Sequence, residues 1–204
     1  MIDFCIYLVT DRRQLSIPLL EGIEEALKGG IRAIQLREKD LSVRELLVLA
    51  AELRELTSRY DARLFINDRV DVAMVVEADG VHLGAGGMPV DSVRRLTGGE
   101  MLIGVSTHSL GDAEAAERAG ADFITFGPVY ETPSKMKYGP PQGPEKLRKV
   151  AGNIRIPVFA IGGIKKEKIG EVRDAGARGI ALISGILASD SINKETEEYV
   201  RSMS

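Results

Sequence analysis

The segment Asp174-Ala-Gly-Ala-Arg-Gly-Ile-Ala-Leu-Ile183 shows the pattern that indicates the fold most clearly. It begins with the small residues and glycine that commonly end a helix, and it continues directly into a short apolar segment. The same order occurs at Lys28–Leu36, Glu77–Leu83 and Arg118–Phe126. Short and almost continuously apolar strands of this kind are typical of a parallel sheet that is covered on both faces.

Working outward from these segments, the chain divides into strands that alternate with amphipathic helices. The predicted strands are Phe4–Val9, Ile31–Leu36, Arg63–Asn67, Gly80–Leu83, Leu102–Val105, Phe123–Phe126, Val158–Ile161 and Gly179–Ile183. The predicted helices are Ile17–Leu27, Val43–Ser58, Val70–Val76, Pro89–Leu96, Leu110–Ala119, Pro144–Val150, Lys165–Ala175 and one after Ser191.

Strands and helices that alternate in this way over 204 residues predict a single-domain α/β protein, a (β/α)8 TIM barrel spanning residues 1–204. An open doubly wound sheet is the main alternative, but it usually has fewer strands. Its glycine-rich turn is also missing, because the first predicted strand is followed by Thr10-Asp11-Arg12-Arg13.

Composition excludes several classes of protein. The chain has 27 Lys and Arg against 30 Asp and Glu, and a net charge of -3 argues against an electrostatic nucleic-acid binder. One cysteine cannot build a disulfide framework or a thiolate metal site. No apolar run approaches the roughly 18 residues of a membrane span, and Met1–Cys5 lacks the features of a secretory signal. We therefore expect a cytoplasmic protein that binds neither nucleic acid nor membranes, with homo-oligomerisation left open.

Polar residues follow the second and third predicted strands. Gln35 and Arg37 share one side of their strand, and in a barrel that side faces the mouth, where such residues are costly unless a ligand or partner satisfies them. The alternative is a structural Arg–Glu network that closes the top of the barrel. Asn67 and Asp68 end the next strand, and Asp68 is equally suited to cap the following helix or to bind a metal ion.

The last strands are followed by segments that suit anions. The loop 127–143 contains Thr132, Ser134 and Lys135, two hydroxyls and one cation within four residues. Gly162-Gly163 and Ser184-Gly185 follow strands seven and eight, where barrels of this class often bind phosphate through backbone N–H groups. The alternatives are a solvated loop and tight turns that need positive φ. Together the pattern predicts one or two phosphorylated small-molecule substrates, with Asp68 placed to hold a divalent cation between them.

These residues belong to segments that resemble, in order and over nearly the whole chain, the thiamine-phosphate synthase family, which includes the related thiazole tautomerases. The matching segments are Tyr7-Leu-Val-Thr-Asp11, Gln35-Leu-Arg-Glu-Lys39, Ile66-Asn-Asp-Arg69, Gly80-Val-His-Leu-Gly84, Gly104-Val-Ser-Thr-His108, Gly127-Pro-Val-Tyr130, Thr132-Pro-Ser-Lys135, Pro141-Gln-Gly143, Ala160-Ile-Gly-Gly-Ile164 and Ile183-Ser184.

The resemblance implies an enzyme that joins 4-amino-2-methyl-5-pyrimidinemethyl diphosphate to a thiazole phosphate and releases diphosphate, with Mg²⁺ as cofactor. It implies a magnesium ligand at Asp68 and catalytic roles for Arg37, Lys39, Ser106 and Lys135. The substrate-binding residues that it implies are Gln35, Arg37, Glu38, Lys39, Asn67, Ser106, Thr132, Pro133, Ser134, Lys135, Gly163, Ile183 and Ser184. The family reaction is dissociative and needs stabilisation of the leaving group rather than a protein nucleophile.

The sequence departs from the synthase pattern after Gly84. Synthases usually carry Gln-Glu-Asp there, and that Asp is the second magnesium ligand, whereas this chain has Ala85-Gly86-Gly87. Magnesium often uses only one or two carboxylates, and Glu38 and Glu131 are candidate replacements. Glu131 also resembles the tautomerase branch, whose catalytic His is replaced here by Pro128.

Two other functions therefore stay open beside the synthase. One is a metal-independent thiazole tautomerase, in which His108 or Glu131 would act as the general acid or base. The other is a protein that binds thiazole phosphate or thiamine phosphate without catalysis.

Overall fold

The computed structural model describes residues 2–132 and 140–203, and in these residues eight parallel strands close into a barrel. The strands follow one another around the barrel in chain order, and the first pairs with the last through Ile6 and Ile180. The predicted (β/α)8 barrel is confirmed. A helix between each pair of successive strands returns the chain from the carboxyl end of one strand to the amino end of the next, so the strand-end loops predicted to carry polar residues all lie at one mouth.

The strands are β1 (Ile6–Val9), β2 (Ala33–Leu36), β3 (Arg63–Asn67), β4 (Gly80–Leu83), β5 (Leu102–Thr107), β6 (Phe123–Phe126), β7 (Val158–Ile161) and β8 (Gly179–Leu182). The helices are α1 (Leu19–Lys28), α2 (Val43–Arg59), α3 (Val70–Val75), α4 (Val90–Thr97), α5 (Leu110–Arg118), α6 (Gly143–Asn153), α7 (Ile169–Asp174), α8 (Ser184–Leu187) and α9 (Ile192–Met203). Within the described ranges, no helix has the length and apolarity that a membrane span requires.

The predicted elements differ from the observed ones mainly at their ends. The predicted helix Lys165–Ala175 is divided into a 3-10 turn at Lys166–Lys168 and helix α7. Helix α8 was not predicted, because four residues are too few to show helical periodicity. A second 3-10 turn at Arg12–Gln14 was also not predicted, and it carries Arg12, which contacts Glu38 after β2.

Aromatic rings fill the inside of the barrel, and each of three phenylalanines lies opposite a glycine on the neighbouring strand. The register pairs Phe65 with Gly80, Phe123 with Gly104, and Phe159 with Gly179. A Cβ atom at Gly80 would lie 2.6 Å from the Phe65 ring and 2.5 Å from the carbonyl oxygen of Leu102. The glycines therefore leave the space that the rings occupy, and the barrel has a packed interior rather than a pore.

We expect Gly80→Ala to destabilise the protein strongly, because the new methyl group overlaps both a buried ring and a backbone carbonyl that cannot move alone. Overpacking of this kind typically costs about 1–3 kcal/mol of unfolding free energy. Gly152→Ala is the matched control, since Gly152 lies in α6 with no atom within 4 Å of the added Cβ. Urea unfolding of both variants measures the difference. Equal midpoints would contradict the pairing of rings with glycines.

Candidate functional site

Five polar side chains form a connected layer on top of the aromatic interior. The Gln35 amide donates to the Tyr7 hydroxyl at 3.2 Å, and that hydroxyl lies 3.4 Å from Nδ1 of His82. On the other side of the imidazole, Nε2 lies 3.1 Å from the Ser106 hydroxyl and 3.4 Å from that of Thr125. Gln35, Tyr7, His82 and Thr125 are buried, whereas Ser106 is half-buried and so reaches the mouth of the barrel.

The role of Ser106 follows from the tautomer of His82 that we assign to this layer. Because Tyr7 accepts from Gln35, its own proton is available for Nδ1 of His82, and Nε2 then carries the hydrogen of the neutral ring. Ser106 accepts from that nitrogen, which leaves the Ser106 proton free to donate upward to a ligand oxygen.

His82 is neutral in the folded protein. Burial, and to a smaller extent the positive charge of Arg37, lowers the pKa of His82 to about 3. His82 was not among the predicted site residues; the signal for it was its position two residues after the inward-facing Gly80.

The segment after β2 brings two cations to the mouth. Arg37 is half-buried and Lys39 is exposed, and neither side chain has a hydrogen-bond or ion-pair partner among residues 2–132 and 140–203. Between them, Glu38 points the other way, toward Arg12, and its side chain is 2% exposed. A direct contact between Glu38 and a substrate therefore stays a prediction. The structural Arg–Glu pair that was the alternative for this segment is present, but its arginine is Arg12 and not Arg37.

Asp68 lies at the end of β3 in a conformation that non-glycine residues seldom adopt, with φ of +58°. Its Oδ1 accepts from the Gly84 N–H at 2.7 Å, and its Oδ2 accepts from the Asn67 amide at 2.8 Å. It does not cap the next helix: α3 begins at Val70 after Arg69, and no side chain caps it. The capping alternative is wrong, and the strained backbone holds the carboxylate at the mouth.

The Gly84–Gly87 turn packs against this carboxylate. The Gly87 N–H donates to the Gly84 carbonyl at 2.9 Å, and a Cβ atom at Gly87 would lie 2.8 Å from Oδ1 of Asp68. Position 87 is thus beside Asp68, and any side chain there requires Asp68 to move. Across the residues that the structure describes, no three His, Cys, Asp or Glu side chains are grouped closely enough to hold a metal ion by themselves.

The loops after β6 and β7 lie against each other at the mouth of the barrel. Val129 donates its N–H to the carbonyl of Ile161 at 2.9 Å, and Tyr130 donates to that of Gly162 at 3.0 Å. Gly163 has a φ of +66°, and a Cβ atom there would overlap the backbone of Tyr130 and its neighbour. Close approach of the two loops therefore depends on Gly163, which also has the positive φ expected of a tight turn.

Other predicted residues at this part of the mouth are placed as follows. Thr132 and Ile183 are half-buried, Ser184 is exposed at the start of α8, and Glu131 is exposed. His108 lies at the end of β5, and its Nδ1 lies 2.5 Å from the carbonyl oxygen of Gly127. The predicted contacts Pro133, Ser134 and Lys135 lie outside the described residues and stay predictions.

A sequence profile described as thiamine monophosphate synthase matches residues 6–186. The chain belongs to this family. A Geobacter sulfurreducens protein, provisionally named thiamine-phosphate synthase, is 57% identical over 188 residues, 92% of this chain and 88% of that one. A Clostridium novyi thiamine-phosphate synthase is 42% identical over 192 residues, 94% of each chain. The solved thiamine phosphate pyrophosphorylase of Pyrococcus furiosus superposes with a TM-score of 0.90 and 41% identity, over 98% of this chain and 95% of that one.

Membership of the thiamine monophosphate synthase family confirms the resemblance read from the sequence. The family also accounts for the two polar regions of the mouth, since an enzyme that makes thiamine phosphate handles phosphorylated small molecules. Family membership does not assign the roles of individual residues within the mouth.

We expect the buried neutral His82 to make stability depend on pH between pH 7 and pH 5. The unfolded chain binds a proton near pH 6.5, whereas the folded chain does so only near pH 3, so stability is complete above pH 6.5 and falls as the pH drops toward 3. Between pH 7 and pH 5 the loss is about 2 kcal/mol. Urea unfolding of the wild type and His82→Gln measures it: the variant should show a flatter pH dependence in this window. Parallel curves would contradict a buried neutral His82.

Proposed function

We propose that this chain is a thiamine-phosphate synthase, which joins the pyrimidine methyl diphosphate to thiazole phosphate and releases diphosphate. Its family and the names of its relatives support this reaction. The observation that carries the assignment of the site is the pair of unpartnered cations, Arg37 and Lys39, above a buried layer that holds no net charge. A half-buried cation such as Arg37 is costly unless an anion compensates it, and the exposed Lys39 beside it can bind the same anion.

The reaction needs charge stabilisation more than acid–base chemistry. The bond between the pyrimidine methylene carbon and the diphosphate oxygen breaks, and its electron pair leaves with diphosphate. The lone pair of the thiazole nitrogen then forms the new carbon–nitrogen bond, so no proton has to be transferred by the protein. We propose that Arg37, Lys39 and the proton of Ser106 stabilise the leaving oxygens as their charge grows.

Asp68 is the residue that we propose to hold Mg²⁺. Each of its carboxylate oxygens accepts one hydrogen bond and keeps a lone pair, which fits a cation that takes one or two carboxylates together with phosphate oxygens and waters. When bound, the cation would neutralise charge on the diphosphate. Gly87 leaves Asp68 without a second carboxylate beside it, so we expect weaker binding of the metal by the protein alone and a stronger dependence on the diphosphate.

The thiazole phosphate is proposed to lie on the glycine side of the mouth, near Thr132, Gly163, Ile183 and Ser184. Its phosphate would accept hydrogen bonds from backbone N–H groups of the loops after β6 and β7, whose close approach depends on Gly163. Pro133, Ser134 and Lys135 are proposed contacts from the sequence alone. We also propose a cytoplasmic location, and assembly into homo-oligomers stays an open part of the proposal.

The synthase reaction is tested by supplying both substrates and Mg²⁺ and following thiamine phosphate and diphosphate. We expect the two products in equal amounts, and we expect Arg37→Ala to lower kcat/KM for the pyrimidine diphosphate by about 100-fold, the usual cost of removing one donor to a developing anion. Arg44→Ala, an exposed arginine on α2, is the control and should leave kcat/KM unchanged. Absence of product even at high Mg²⁺ would overturn the proposed function.

The division of the mouth into two anion regions is tested with Gly163→Ala. The added methyl group overlaps the loop after β6, so KM for thiazole phosphate should rise severalfold while KM for the pyrimidine diphosphate changes little. Gly98→Ala is the matched control, because Gly98 also has a positive φ, of +74°, but has no atom within 4 Å of an added Cβ. If both KM values rise equally in Gly163→Ala, the two regions are not separate sites.

A further inference from the structure

The cations proposed to bind diphosphate lie in a segment where charges alternate. Arg37, Glu38, Lys39 and Asp40 follow one another directly. A carboxylate that turned toward Arg37 or Lys39 would pair with it, and a paired cation is a poorer partner for an anionic ligand. A diphosphate site built from this segment is therefore favoured when the two carboxylates are held away from the two cations.

Arg12, in the 3-10 turn after β1, binds both carboxylates. Its backbone N–H donates to Oε1 of Glu38 at 3.0 Å, and Nη1 donates to Oε2 at 2.9 Å. The same guanidinium bonds both oxygens of Asp40, at 2.8 Å and 2.7 Å. The guanidinium of Arg12 lowers the pKa of Asp40 below its ordinary value, which keeps that carboxylate charged and paired.

The turn that carries Arg12 is itself fixed to β2. The Thr10 N–H donates to the Gln35 carbonyl at 2.9 Å, and the buried Thr10 hydroxyl accepts from the Arg37 N–H at 2.9 Å. Asp11 caps the turn by accepting from the Arg13 N–H. Isolated surface ion pairs contribute little to stability. The contacts of Arg12 differ, because one guanidinium binds two carboxylates, the Glu38 side chain is 2% exposed, and hydrogen bonds hold the backbone of the turn.

We propose that Arg12 is a positioning residue that keeps Glu38 and Asp40 off Arg37 and Lys39, so that both cations stay free for diphosphate. This inference rests on the proposed function and adds to it. The observation behind it is that all four charged groups are accounted for: both carboxylates contact Arg12, and within the described residues both cations lack a partner. Arg12 is not a catalytic residue, because its guanidinium faces the carboxylates rather than the mouth.

The test is calorimetric titration of the full-length protein with inorganic diphosphate at a fixed Mg²⁺ concentration. Arg12→Ala frees both carboxylates, so the Kd should rise about tenfold or more, as expected when binding groups are displaced by a mutation outside the site. Arg13→Ala is the matched control: Arg13 is adjacent, its side chain is 71% exposed, and its ion pair is with Asp11. The Kd of that variant should stay within about twofold of the wild type.

A second substitution separates this role from a purely structural one. Adding Asp40→Asn to Arg12→Ala removes one of the freed carboxylates, so part of the affinity for diphosphate should return, although no contact to Arg12 is restored. A structural role predicts no recovery, and its absence would overturn the proposal. Should Arg12→Ala fail to fold, Arg12→Lys with and without Asp40→Asn makes the same comparison, because lysine keeps a positive charge beside the enclosed Glu38.

The outcomes distinguish this inference from the proposed function. Arg12→Ala binding diphosphate as tightly as Arg13→Ala would overturn the inference alone. A wild type that binds diphosphate with the predicted dependence on Arg12 but makes no thiamine phosphate would overturn the proposed function alone. A further expected result is that KM for thiazole phosphate is unchanged in Arg12→Ala, because its proposed site lies at the loops after β7 and β8.

Discussion

The barrel depends on the fit of three phenylalanine rings against three glycines on neighbouring strands. Phe65, Phe123 and Phe159 fill the interior only because the residue opposite each has no side chain. This solid interior forms a floor for the layer that joins Gln35 to Ser106, and it excludes water from beneath that layer. His82 is consequently neutral, and the charges of the site are confined to the rim, where a ligand can reach them.

At the mouth of the barrel, the carboxylates are held away from the two cations Arg37 and Lys39. Arg12 engages two carboxylates, Asp68 is held by hydrogen bonds from Gly84 and Asn67, and Arg37 and Lys39 have no partner in the described part of the chain. An anion of high charge density that also binds a divalent cation fits this distribution. Diphosphate, the leaving group of the family reaction, has both properties.

The barrel could be predicted from the sequence because strands and helices leave local patterns. Many mouth residues could be predicted because barrels of this class carry their functional residues at the carboxyl ends of the strands. Gln35 could be placed on the inner face of β2 from strand alternation alone. The pairing of rings with glycines could not be predicted, since it depends on the register between strands. Arg12 was missed because its partner is 26 residues away, and Glu38 was grouped with its neighbours in the motif although its side chain points toward Arg12. The closeness of Gly87 to Asp68 likewise arises only from the folded turn.

Binding of diphosphate at this mouth through Arg37 and Lys39 is the proposal on which the assigned function of the site depends. A crystal structure of the protein soaked with inorganic diphosphate and Mg²⁺ tests it. We expect diphosphate oxygens within hydrogen-bond distance of both cations and a metal ion between them and Asp68. Diphosphate bound at the opposite end of the barrel, or Arg37 and Lys39 paired with Glu38 and Asp40 while the mouth holds no anion, would contradict it.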